Sequence, residues 1–384
     1  MQLLLFVVAF AALHLPHASS LLPPFSTATS KPPLPQTSWS SDDVTNELAG
    51  CIGVVTGGSR GIGKGISIEL ALRGAKVYIT GRTLKSEGPL SLERTKEEIT
   101  NVRPDAQVEI REVDHENDDQ VRALFEEVVK NEGRGVDLLV NNCFSLPPEF
   151  STSDASYLFR PFYEQSLSAY DSVINVGLRS HYVSTALAAP AMIKAVEEGR
   201  CPRGYGRVIN VSSFGGLSYT FNVAYGVGKA GLDRFSADAS LELKKSSIAV
   251  NSIYPGVVMT ENMEKVVESG QWEEQVGIPV DMSETPRLTG RAIAALMTMD
   301  KDQAMERTGN IEIVSELASE CGFCEPSGAE APPSIRSLKF LLPSYGMSKE
   351  LRESQVGKIL SKTIPDWKLP LQIMAQGRPE DKKI

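Results

Sequence analysis

From Cys51 onward, short runs of β-branched and apolar residues alternate with longer stretches whose apolar positions recur at helical spacing. The short runs predict strands at residues 51–55, 76–80, 108–113, 137–140, 207–211, 248–254 and 309–314. The longer stretches predict helices near 61–73, 92–100, 118–131, 168–197, 223–245 and 284–299. Such alternation stacks βαβ units into a parallel sheet with helices on both faces. Seven strands suit one doubly wound α/β domain, expected over residues 45–323, and no internal repeat is visible.

Both ends break this pattern. Leu3 to Leu13 form an apolar run closed by Pro16 and the small residues Ala18, Ser19 and Ser20, the form of a secretory h-region and cleavage site. No basic n-region precedes it, which leaves a short membrane anchor as the other reading. Residues 21–40 are rich in Ser, Thr and Pro and lack acids, as transit peptides and linkers do. Residues 1–44 are therefore expected to be a targeting segment and linker outside the fold. The destination expected is the endoplasmic reticulum or secretory pathway, with a plastid or other organelle as the alternative. Residues 324–384 form a C-terminal extension in which 338–342 and 359–371 suit packing on the domain itself, on a second subunit of a homo-oligomer, or peripherally on a membrane.

Composition narrows the class. With 41% hydrophobic and 23% charged residues the chain resembles ordinary globular proteins. A net charge of −9 and no basic stripe argue against nucleic acid as a partner. Five cysteines are too few and too scattered for a disulfide framework. The pair Cys321 and Cys324 has no second pair, and all four histidines lie far away in sequence, so no metal is expected.

The first strand runs into Thr56-Gly57-Gly58-Ser59-Arg60-Gly61-Ile62-Gly63, which opens a helix. Glycines there let the backbone turn sharply and approach a pyrophosphate, while the helix N-terminus offers unpaired N–H groups to it. This strand–turn–helix is the Rossmann arrangement. Arg60 lies within the turn, and Arg82 stands after the second strand, where a carboxylate would bind the ribose of NAD. A guanidinium there suits a 2′-phosphate, so NADP(H) is the expected cofactor. Asp114, ending the third strand, suits either the adenine amine or a cap for the next helix.

Tyr225 and Lys229 stand four apart on a predicted helix and share a face, with Ser213 ending a strand upstream. A phenol is a poor acid or base at pH 7, so Lys229 is expected to bring its pKa down, while Ser213 holds the substrate oxygen. These motifs all fall at carboxyl ends of strands, where ligands of doubly wound sheets bind.

Taken with Asn141-Asn142 and the run from Pro255 to Thr260, these residues resemble the short-chain dehydrogenase/reductase family over about residues 48 to 315. The resemblance implies an NADP-dependent carbonyl reductase or alcohol dehydrogenase for steroid-like or other lipophilic substrates, associated with the endoplasmic reticulum. Its catalytic residues are Ser213, Tyr225 and Lys229. Its cofactor residues are Gly57, Ser59, Arg60, Gly61, Ile62, Gly63, Arg82, Asp114, Asn142, Tyr225, Lys229, Val258 and Thr260. By the same resemblance Asn142 lies beside the adenine ribose, and Val258 and Thr260 beside the carboxamide and pyrophosphate. Two departures stand out. Phe144 replaces a glycine after Asn141-Asn142-Cys143, and Gly177 falls where a helix asparagine usually holds a relay water. Asn175, two residues earlier, is expected to face away, since two helical steps rotate a side chain by about 200°. The rival reading is an attenuated NADP-binding member with a regulatory or scaffolding role.

The segment from Phe144 to Phe162 is expected to line a hydrophobic pocket, with a packed surface loop as the other reading.

Overall fold

In the computed structural model, which describes residues 35–37, 39, 43–147, 149, 157 and 160–374, seven strands form one parallel sheet. They are β1 (Ile52–Val55), β2 (Lys76–Gly81), β3 (Val108–Glu112), β4 (Leu138–Asn141), β5 (Gly206–Val211), β6 (Ile248–Tyr254) and β7 (Ile311–Ile313). Their order is β3-β2-β1-β4-β5-β6-β7. The chain winds outward in one direction from β1 to β3 and in the other from β4 to β7, so the crevice between β1 and β4 is the switch point where ligands bind.

Helices cover both faces. They are α1 (Gly61–Leu72), α2 (Leu92–Val102), α3 (Asp118–Glu132), α4 (Leu167–Ile174), α5 (Ser180–Glu197), α6 (Val223–Leu243), α7 (Pro286–Thr298) and α8 (Val314–Cys321). Successive strand residues point to opposite faces. Val77 and Ile79 accordingly join Ile66, Leu70 and Leu296 in one core, while Tyr78 joins Val54, Phe125 and Leu139 in the other. Burial on both faces is why these strands read as continuous apolar runs.

Several local features depart from the sequence expectation. The helix expected at 168–197 is α4 and α5 joined by a wide π-helical turn, Asn175–Arg179. Helices Glu261–Glu268, Lys301–Arg307 and α8 were not expected. Residues up to 44 are also not wholly outside the fold. Trp39 is 4% exposed and stacks 6.2 Å from Phe323, and the Thr37 N–H donates to the Cys321 carbonyl at 2.7 Å. A lone aromatic among Ser, Thr and Pro has no periodicity to announce it.

Trp39 also touches a buried charge cluster. The Arg73 guanidinium lies 4.2 Å over its ring. Glu69 binds Arg73 at 2.9 Å, Arg287 at 2.6 Å and Arg291 at 3.4 Å. Backbone carbonyls take part of the excess positive charge: Asp43 accepts from Arg73 at 3.0 Å, and Trp39 and Cys324 accept from Arg291 at 3.1 and 2.8 Å. Burial nevertheless pulls the Arg73 pKa down, with Glu69 opposing.

The extension beyond residue 323 folds onto the domain. Glu325 accepts from the Thr285 N–H and hydroxyl at 3.0 and 2.6 Å. Arg336 forks onto Glu316 with both bonds at 2.7 Å. Ile335 and Phe340 pack with Tyr254, Ile278 and Ile313, so 338–342 covers its own domain. Helix Gln355–Thr363 differs, leaving Val356, Ile359 and Leu360 exposed. Cys321 and Cys324 are unpaired thiols, and among the described residues no three metal-binding side chains gather. No described helix is long and apolar enough to cross a membrane. The apolar run at residues 3–13 lies outside the described residues.

Candidate active site

Thr56 and the glycine turn join β1 to α1. Gly57 and Gly61 adopt φ of +71° and +55°, a region that disfavours other residues. A Cβ on Gly63 would lie 2.2 Å from the Gly57 carbonyl oxygen. Asn142, expected beside the adenine ribose, also braces this turn from just past the end of β4. Its amide donates to the Thr56 and Gly57 carbonyls at 2.8 and 3.0 Å, because the Thr56 hydroxyl draws the Asn142 N–H in at 2.9 Å.

Around this turn the other expected residues gather. Ile62 is half-buried and packs its side chain against the core. The Ser59 hydroxyl would be 3.5 Å from a Cβ on Gly81, which brings Ser59 against the end of β2, next to Arg82 in sequence. Arg60 and Arg82 are exposed, and neither pairs with a carboxylate among the described residues. Asp114 folds its carboxylate onto the Glu116 N–H at 3.1 Å, and Asn117 rather than Asp114 caps α3. Val258 belongs to a two-residue pair with Ser283–Glu284, and the Thr260 methyl comes within 3.3 Å of a Cβ built on Gly61.

The next residue was not anticipated. Glu261 Oε2 accepts the Gly61 N–H at 2.9 Å, standing where the first turn of α1 would receive a phosphate oxygen. The closely approached glycines, the anion at the helix start and the open guanidinium corner together fit a dinucleotide phosphate.

At the reacting end, Asn222 caps α6 by accepting the Tyr225 N–H at 2.9 Å. This sets Tyr225 in the first turn, with Lys229 one turn on. The Tyr225 hydroxyl donates to Ser213 Oγ at 2.8 Å, and that oxygen also accepts the Gly215 N–H at 3.0 Å. Lys229 is buried and donates to the Val211 carbonyl at 2.9 Å. The fold thus assembles the three residues expected from sequence.

Their electrostatics differ from expectation. Burial pushes the Tyr225 phenol up, opposed by its Ser213 bond and reinforced by Asp233. Lys229 does not bring it down, because its ammonium is turned to Val211 and lies 5.8 Å from the phenol ring centre. Burial lowers Lys229 itself to about 8, with Asp233 opposing. Asp233 continues the i, i+4 series from Tyr225 through Lys229, and that spacing could have revealed it. Its carboxylate accepts from the Tyr254 hydroxyl at 2.5 Å and is pushed up by burial.

Two aromatic rings flank the phenol edge-on, Phe144 from the start of the segment expected to line a pocket and Phe221, which had no expected role. Phe144 lies 5.8 Å away at 87°, and Phe221 lies 5.0 Å away at 88°. Phe221 holds φ at +57°, a strained value for a bulky residue. Asn175 faces away as expected and donates to Glu116 at 3.1 Å. Between Phe144 and Phe162, residues 148, 150–156 and 158–159 lie outside the described residues, whereas Tyr157 is buried and its hydroxyl accepts the Ser166 N–H at 3.0 Å.

A phosphate-binding turn and a serine–tyrosine–lysine group at the carboxyl ends of one parallel sheet define a dinucleotide-dependent oxidoreductase. The profile described as short chain dehydrogenase matches residues 52–271, and the chain belongs to that family. It is 34% identical over 287 residues to dehydrogenase/reductase SDR family member 1 of Mus musculus, covering 73% of this chain and 85% of that one. It is 31% identical over 225 residues to NADPH-dependent aldehyde reductase 2, chloroplastic, of Arabidopsis thaliana, covering 56% and 74%. Among solved structures, a metagenomic short-chain oxidoreductase in complex with NADP aligns with a TM-score of 0.52 at 25% identity, covering 70% of this chain and 96% of that one.

Proposed function

We propose that the protein is an NADPH-dependent carbonyl reductase for lipophilic ketones or aldehydes, working in reverse on secondary alcohols. The 2.8 Å bond between Tyr225 and Ser213 carries this reading, since it points two hydroxyls toward one substrate oxygen. When bound, NADPH supplies the hydride. Ser213 orients the carbonyl oxygen, and Tyr225 donates the proton that oxygen needs. A phenol held up by burial is protonated at neutral pH, the state suited to reduction. Lys229 fixes a positive charge behind the phenol, anchored on Val211.

NADP is supported over NAD by Arg60 and Arg82, exposed and without a carboxylate partner among the described residues, and by the cofactor named for the Arabidopsis relative and the metagenomic structure. A lipophilic substrate is supported by the rings at the phenol and by exposed Phe162 and Tyr163 before α4, Leu167 at its start and Tyr219 before α6. Purified protein is expected to consume NADPH with a panel of such carbonyls. Tyr225→Phe is expected to lower turnover by about 10²- to 10⁴-fold while retaining NADPH binding. Unchanged turnover in that variant rules the mechanism out.

The bare Gly177 favours a second reading, an attenuated NADP-binding protein with a regulatory role, and binding without turnover across the panel decides for it. We also infer that helix Gln355–Thr363 rests on a membrane surface. Exposed Val356, Ile359, Leu360 and Trp367 lie among Lys358, Lys362 and Lys368. Flotation with anionic vesicles checks this, and Ile359→Asp is expected to abolish it.

A further inference from the structure

We propose that Phe144 is a positioning residue for Lys229 and that the bare backbone of Gly177 is what admits its ring. The consequence for turnover rests on the reductase reading; the consequence for the lysine itself does not. Phe144 follows the end of β4, and its ring occupies the space between the π-helical turn and α6. On one side a Cβ on Gly177 would lie 2.9 Å from Cδ2 and 3.3 Å from Cε2 of that ring. On the other, the Lys229 ammonium lies 5.3 Å from the ring centre and the Tyr225 ring 5.8 Å away. The two departures from the family pattern are therefore in contact and form one feature. A side chain at 177 and an aromatic ring at 144 cannot both fit without a shift.

An ammonium carries three donors. Here Val211 takes one at 2.9 Å, and the faces of Phe144 and Tyr225 lie within cation–π range. Phe144 thus covers the lysine on the side of the π turn and keeps water from it there, steadying Nζ behind the phenol. The titratable groups near the ammonium are Tyr225 and Asp233 on α6, Cys143 at the end of β4 and His181 on α5. Burial pushes Cys143 up and His181 down to about 3, both away from pH 8, and pushes the Asp233 carboxyl up from its ordinary range, so the lysine is read through its own carbon signal.

Two measurements test this. In protein carrying ¹³Cε-lysine, with the signal assigned through Lys229→Arg, the wild-type midpoint is expected near 8. Phe144→Ala is expected to raise it by roughly one pH unit as water reaches the ammonium, with Phe144→Leu as the milder variant should the alanine protein not fold. A midpoint that stays put, even with a lower melting temperature, overturns the assignment. The second test is a double-mutant cycle. Gly177→Ala is expected to lower kcat about tenfold alone but less than twofold in the Phe144→Leu background. Strictly additive losses also overturn it. A wild-type protein without turnover would refute the reductase reading and leave the titration to decide the role of Phe144.

Discussion

Glu261 offers the sharpest test of the phosphate turn. Its carboxylate accepts the Gly61 N–H at 2.9 Å, occupying the anion position at the start of α1, so a phosphate must displace it. A hydrogen bond to a charged group contributes about 1.5–3 kcal/mol, and the helix dipole adds about 0.3–1 kcal/mol. Glutamine keeps an accepting oxygen but loses the charge, so Glu261→Gln is expected to weaken the resident contact by roughly 1–1.5 kcal/mol. NADP⁺ should then bind about five- to tenfold more tightly, since 1.4 kcal/mol is a factor of ten. Isothermal titration calorimetry at low ionic strength measures this, and the gain should shrink as salt screens the carboxylate. Unchanged or weaker binding refutes the idea that the side chain stands in for a phosphate oxygen.

Other expectations follow from the same geometry. Arg82→Ala should weaken NADPH by about 1.5–3 kcal/mol through loss of a charged phosphate contact while changing NADH less than about twofold; equal losses in a binding titration would remove Arg82 from the 2′-phosphate site. Glu284 is held up at about 8 by burial, with Glu325 adding, against an ordinary value of 4.5. Its contribution to stability is fully present below about 4.5 and lost as pH rises to about 8, because the native state keeps a proton that the unfolded chain releases. Calorimetric melts should show a shallower decline across that window for Glu284→Gln, and parallel curves would refute the assignment.

The sheet was legible because each strand is buried on both faces and reads as an apolar run, and the glycine turn and the Tyr225–Lys229 spacing were local patterns. What escaped lacked either property. α8 begins at Val314, directly after Ile313, with no turn residue between them, so its first residue passed as the end of β7. Lys301–Arg307 is short, although Asp300 and Gln303 form a capping box that marks its start. The contact between Phe144 and Gly177 joins residues 33 positions apart and leaves no mark in either neighbourhood. The lysine's failure to acidify the phenol depends on where Nζ turns, which spacing does not determine.

The cluster around Glu69 bears on where this domain ends. A single guanidinium, that of Arg291, is gripped by the carbonyls of Trp39 and Cys324, one preceding β1 and one following α8. Glu69, at its centre, lies on the helix that presents the phosphate turn. The lead-in and the extension therefore work as two halves of a clasp behind the nucleotide crevice. A fragment cut to the family match at 52–271 discards both halves together with α7, so the smallest piece that keeps the crevice braced starts before residue 37 and runs past Glu325.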